Sequence, residues 1–70
     1  MKITATFSTG KTITRNTTKQ LTHAYRAVNK WQTFTGFASS QELAHKAASS
    51  SASGSESKIF EIEIVEVVII

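Results

Sequence analysis

The stretch TTKQLTHAYRAVNKWQTFTGF, residues 17–37, decides the fold, because it supports two different periodicities. As a helix, Thr17 and Gln20 form a capping box, and Leu21, Ala24, Tyr25, Val28 and Trp31 fall on one face. As a hairpin, Asn29-Lys30 is a two-residue turn between strands 21–28 and 31–37, with Val28 opposite Trp31 and Tyr25 opposite Phe34. Thr22, Tyr25, Val28, Trp31, Thr33, Phe34 and Thr35 are strand formers, and Asn29 suits a turn. The residue preferences favour the hairpin, with the helix as the alternative.

Upstream lies a second hairpin. Ile3, Ala5 and Phe7 alternate with Lys2, Thr4 and Thr6, Gly10 supplies a residue able to take positive φ, and a strand follows from Thr12 to Arg15. A type I turn with a bulge at Gly10 sets Ala5 opposite Ile13 and Phe7 opposite Lys11, leaving Thr4, Thr6, Thr12 and Thr14 on the outer face. The run Thr9-Gly10-Lys11-Thr12-Ile13-Thr14, at this distance from the N-terminus, resembles the first hairpin of ubiquitin. The likeness covers that hairpin alone, and the chain lacks the terminal di-glycine of conjugation, so it implies a turn geometry and no activity.

Downstream, Ser39-Ser40-Gln41-Glu42 reads as a capping box with Ser39 as N-cap, opening a helix whose apolar stripe is Leu43, Ala44, Ala47 and Ala48. The helix fades near Ser50, and residues 49–57 read as a flexible Ser-rich linker. The last segment changes parity. Phe60, Ile62 and Ile64 alternate with Glu61 and Glu63, then Val65, Val67 and Ile69 take over. Either a bulge near Ile64-Val65 restores one core face, or the second half is buried on both sides. An aliphatic run of this kind on an open edge invites aggregation. The strand is therefore expected to be central or paired with another chain, with Val65, Val67 and Ile69 as a homodimer strand. The predicted architecture is one α+β domain over residues 1–70, a two-layer fold with a mainly antiparallel sheet of four or five strands and one capped helix. Its order is ββββαβ, or ββααβ if the ambiguous stretch is helical.

Seventy residues form at most one small domain, and the absence of cysteine excludes disulfides, thiolate chemistry and cysteine metal knuckles. The N-terminus alternates instead of forming an apolar leader, and the longest apolar run, Val67 to Ile70, is too short to span a bilayer. The expectation is a cytoplasmic protein, in a bacterial host cell if phage-encoded, with no membrane partner. Catalysis finds no footing. The chain has no aspartate, no phosphate-binding glycine loop and no metal-ligand spacing, and its two histidines, His23 and His45, are far apart in sequence. The reading is a non-enzyme without a cofactor.

Charge points to binding. The first 41 residues contain no acid yet carry Lys2, Lys11, Arg15, Lys19, Arg26 and Lys30, while all five glutamates come later. Such a basic side favours encounter with an anionic partner. Arg26, Lys30 and Trp31, at the expected hairpin tip, then Lys11 and Arg15, are the candidate partner-binding residues. Interleaved Tyr25, Trp31, Phe34 and Phe37 would suit nucleic acid, by stacking as well as phosphate contact. Gly36-Phe37-Ala38-Ser39-Ser40 before an alanine-rich helix is similar to double-stranded-RNA-binding domains. Their lysine cluster at the helix start is here Ser40, Gln41 and Glu42, which removes the main phosphate contact. In size, lack of cysteine and the combination Thr22-His23-Ala24-Tyr25, Gly36-Phe37-Ala38-Ser39-Ser40 and Leu43-Ala44, the chain resembles small proteins of unknown function encoded by bacteriophages. That resemblance implies a stoichiometric modulator or inhibitor of a host macromolecule, with a host protein favoured over nucleic acid.

Overall fold

The computed structural model describes residues 1–51 and 58–70. The elements are β1 (Lys2–Thr6), β2 (Thr12–Asn16), β3 (His23–Val28), β4 (Thr33–Ala38), α1 (Gln41–Ser50), β5 (Glu61–Glu66) and β6 (Val68–Ile69). This is an α+β fold in the order ββββαβ, with the last strand in two pieces. Residues 17–37 contain a hairpin and no helix. The strands form two three-stranded antiparallel sheets, β2-β1-β6 and β4-β3-β5, instead of the single sheet expected.

In the first hairpin Ala5 pairs with Ile13, and the Phe7 amide donates to the Lys11 carbonyl. Gly10 has φ +89°, as the turn requires. Across the outer face the hydroxyls of Thr4 and Thr14 lie 3.4 Å apart and those of Thr6 and Thr12 3.1 Å apart. In the second hairpin Tyr25 pairs with Gly36 and Val28 with Thr33, a register shifted by two residues from the expected one. The cause is the Asn29 side chain. Its Oδ1 accepts from the amides of both Trp31 and Gln32 at 2.8 Å, which makes Asn29 the residue before the turn and Lys30-Trp31 its centre. A shift of two leaves every side chain on its original face but changes the partners. The Tyr25 ring now lies over Gly36, where an added Cβ would come within 2.6 Å of it.

The C-terminal strand contains no bulge between Glu61 and Glu66, where its register with β3 is continuous, so the expected break at Ile64-Val65 is absent. The Val67 amide continues that pairing, donating to the Thr22 carbonyl. Three residues on, the Ile70 amide donates to Lys2 in the opposite sheet. Successive strand amides point to opposite edges, so residues 61–70 pair with β3 along one edge and with β1 along the other. One strand thus belongs to both sheets. The parity change has a related cause. Ala5, Phe7 and Ala24 form the core between the sheets, with Ile13, Phe37, Val65 and Val67 packed against it. Alternation places Tyr25, Ala27, Ile62 and Ile64 on the other face of the second sheet, against which α1 packs. The helix covers the even residues of the first half of the strand, and the inter-sheet core covers the odd residues of the second half. Helix, sheet and sheet make three layers, one more than predicted.

Helix α1 is capped by Ser40, one residue later than predicted, with its hydroxyl accepting from the Leu43 amide at 3.1 Å. Ala44 and Ala48 face the sheet fully buried, while Leu43 is half exposed. Small side chains let the helix approach closely but yield little apolar burial. Among the described residues, six of the eight buried hydrophobic ones are alanine (Ala5, Ala24, Ala27, Ala38, Ala44 and Ala48), leaving Ile3 and Phe7 as the large ones. Of the predicted linker, Ser49 and Ser50 are helical and Ser51 follows in a turn; the rest lies outside the described residues.

Candidate partner-binding surfaces

The β3–β4 tip carries two of the predicted residues in usable positions. Trp31 is 64% exposed, and the Lys30 ammonium lies 5.0 Å from the centroid of its ring. Asn29, only 3% exposed, holds the turn from beneath. The indole is therefore presented on a backbone fixed by two side-chain hydrogen bonds and two antiparallel strands, so little ordering remains to be done on binding.

Arg26 does not belong to this surface. It is 9% exposed and faces the space between the sheets, where its guanidinium donates to Glu61 and, from Nε at 3.1 Å, to Glu63. Glu63 also accepts from the amide of Ser8 at 2.7 Å and from its hydroxyl at 3.0 Å. The network joins the first turn to the second sheet. The Ser8 amide, with its hydroxyl and the Arg26 guanidinium, holds the Glu63 carboxyl below its ordinary pKa against the opposing effect of burial. The hydrogen bonds that Arg26 donates to Glu61 and then to Glu63 raise its pKa, against desolvation. The separation of basic from acidic residues along the sequence does not carry over here, since two of the five glutamates neutralise one of the cations internally.

Arg15 and Lys11 are both exposed, on and just before β2. The Arg15 guanidinium lies 5.1 Å from the Phe37 ring centroid, spanning the gap between the outer strands of the two sheets, β2 and β4. Lys11 sits beside Gly10 in the first turn, the turn that Ser8 ties to Glu63. Of the candidate oligomer residues, Val65 and Val67 are half-buried in the inter-sheet core, whereas Ile69 is 65% exposed. Sequence reading missed Asn29 as the organiser of the tip. The double Asx pattern has a signal, an Asn one residue before a two-residue turn, but it is separable from a turn-centre Asn only once the register is known.

Elsewhere, Glu42 and His45 border an open depression between α1 and Ile64, both solvent-exposed and one helical turn apart. Among the described residues there is no cluster of three His, Cys, Asp or Glu side chains able to hold a metal ion, and no helix is long and apolar enough to cross a membrane. No family model, curated protein or solved structure matches the chain.

Proposed function

We propose that this is a non-catalytic binding protein that engages a macromolecular partner through the tip of the β3–β4 hairpin, with Trp31 as the anchor. The observation that carries the reading is the 64% exposure of Trp31 on a turn that buried Asn29 immobilises. Exposed tryptophans on rigid supports are the residues most often responsible for binding energy at interfaces. Lys30 at the tip, with Lys11 in the first turn, sets the sign of the partner's surface as negative, whereas Arg15 lies over Phe37, away from the tip. A protein partner fits better than nucleic acid, because Arg26 is withdrawn into its own ion pairs and leaves fewer cations for phosphates. In the manner implied by the likeness to phage-encoded modulators, binding would act by occlusion of a host protein.

The test is affinity purification from a bacterial lysate, with and without nuclease, using the wild type and Trp31→Ala as baits. One protein recovered stoichiometrically in both nuclease conditions, and weakened about 30-fold or more by Trp31→Ala, is the expected result. Recovery that disappears with nuclease assigns the partner as nucleic acid and overturns the protein reading. Recovery that Trp31→Ala leaves unchanged overturns the site.

A further inference from the structure

The end of the second sheet opposite the Trp31 tip brings together two residues far apart in sequence, His23 and Glu66, which are partners across β3 and β5. The Val67 amide donates to the Thr22 carbonyl at 3.0 Å. Thr22 and Val67 are therefore a hydrogen-bonded pair, and the neighbouring His23 and Glu66 are the closer, non-hydrogen-bonded kind. Such partners have Cα atoms about 4.5 Å apart and side chains on one face. Both border one open depression, with Leu21, Thr22, Val67 and Ile69, and no cation lines it among the described residues.

The Thr22 hydroxyl fixes the state of the imidazole. Its oxygen lies 2.9 Å from the Ser39 carbonyl and 2.8 Å from His23 Nδ1. A carbonyl only accepts, so the single hydroxyl proton goes to Ser39, and the bond to the ring is made by Nδ1–H donating to Thr22. Neutral His23 therefore carries its proton on Nδ1 and keeps a lone pair on Nε2. The backbone beside it is held as well, since the Thr22 amide donates to the Ala38 carbonyl at 3.0 Å. Neither Nε2 of His23 nor the Glu66 carboxylate has a hydrogen-bond or ion partner among the described residues. Two electron-pair donors thus border one depression, with no side chain there to neutralise the carboxylate.

We propose that His23 Nε2 and the Glu66 carboxylate form a two-ligand site for a divalent transition-metal ion of the zinc type, with water in the remaining positions. Imidazole plus carboxylate suits zinc, nickel or copper, whereas magnesium and calcium take oxygen ligands. A histidine that binds a metal through one nitrogen is ordinarily oriented by a hydrogen bond donated from the other, and here the chain from Nδ1–H through Thr22 to Ser39 supplies that bond ready made. Thr22 is then a positioning residue. Two protein ligands leave the rest of the coordination to water, so the ion is held exchangeably, unlike those that four-ligand structural sites retain.

The inference is independent of the Trp31 site. Zinc chloride is titrated by calorimetry at neutral pH into the wild type and into His23→Gln, Glu66→Gln, Thr22→Val and His45→Gln, with circular dichroism to confirm folding. Nitrogen-15 NMR of the imidazoles reads the tautomer and the ligating nitrogen directly. The expected result is one ion per chain, with affinity lower by about tenfold or more in His23→Gln, Glu66→Gln and Thr22→Val and unchanged in His45→Gln. Metal-free neutral His23 should be protonated at Nδ1, zinc should shift Nε2, and magnesium should shift neither nitrogen. A metal-free ring protonated at Nε2 overturns the tautomer argument and the site with it. Zinc binding unweakened by Glu66→Gln or Thr22→Val, or lost in His45→Gln instead, overturns the proposal as well. If a variant is unfolded, NMR on the wild type decides alone, and an Nε2 signal unmoved by zinc counts against the site.

Discussion

Replacing Glu63 by alanine should destabilise the protein far more than replacing its partner Arg26 by methionine. Alanine at 63 removes the carboxylate that receives Ser8 and leaves the Arg26 side chain, 11% exposed, with Glu61 alone. Losing a charge-assisted hydrogen bond at such a site, with one ion partner still in place, costs about 2–3 kcal/mol. Methionine at 26 behaves differently. It fills much of the volume of the arginine stem, Glu61 is half exposed to water, and Glu63 keeps both bonds from Ser8. Replacing a buried cation by an apolar residue under those terms costs about 0–1 kcal/mol. For a domain of this size the Glu63→Ala loss corresponds to a Tm lower by about 10–20 °C. Urea melts followed by far-UV circular dichroism at pH 7 measure both variants. Acid adds a second readout. Because the folded pKa of Glu63 is depressed, protonation favours the unfolded chain, so its contribution is complete above the ordinary glutamate value of about 4.3 and is lost as pH falls below that. Glu63→Ala should therefore lack that part of the wild-type acid sensitivity. Equal costs for the two substitutions, or a larger cost for Arg26→Met, would refute the argument that Arg26 is held for its partners' sake.

Two further substitutions probe the departures from the expected register and cap. Gly36→Ala sets a methyl group against the Tyr25 ring and should cost about 1–3 kcal/mol in the same melts. Most of that loss should vanish in a Tyr25→Ala background, where the ring is gone. Ser40→Ala removes the observed N-cap and should cost about 1 kcal/mol, whereas Ser39→Ala, at the position the capping-box pattern selects, should cost a few tenths or less.

What could be read from the sequence was local. The first hairpin follows from alternation and one glycine, and both its register and its outer threonine face emerge from within fifteen residues. The second hairpin was legible as a hairpin but not in register, because the decision rests on where a single Asn29 oxygen points. The helix cap slipped by one residue for a similar reason. Ser39 and Ser40 are equivalent on paper, yet in the fold the Ser39 carbonyl accepts from the Thr22 hydroxyl while Ser40 turns its side chain to the helix. Arg26 was misplaced because its environment is set by Glu61 and Glu63, 35 and 37 residues away, which no local pattern connects to it. The parity change near Ile64 was a true signal with a wrong explanation. It records two covering layers, each over half of one strand, and a one-dimensional pattern cannot distinguish that from a bulge.

The strand shared by the sheets also orders events in time. Ile3 pairs with Ile69, so the loop closed by that contact is nearly the whole chain, and closure of such a loop costs about 4 kcal/mol in entropy. The two hairpins close within a few residues and are expected to form early. Until residues 61–70 arrive, the first hairpin holds Ile3, Ala5 and Phe7 without a covering layer, and the second lacks the carboxylates that neutralise Arg26. Folding is therefore late and all-or-none, governed by the most distant contact in the chain, with the slower rates that non-local topology brings.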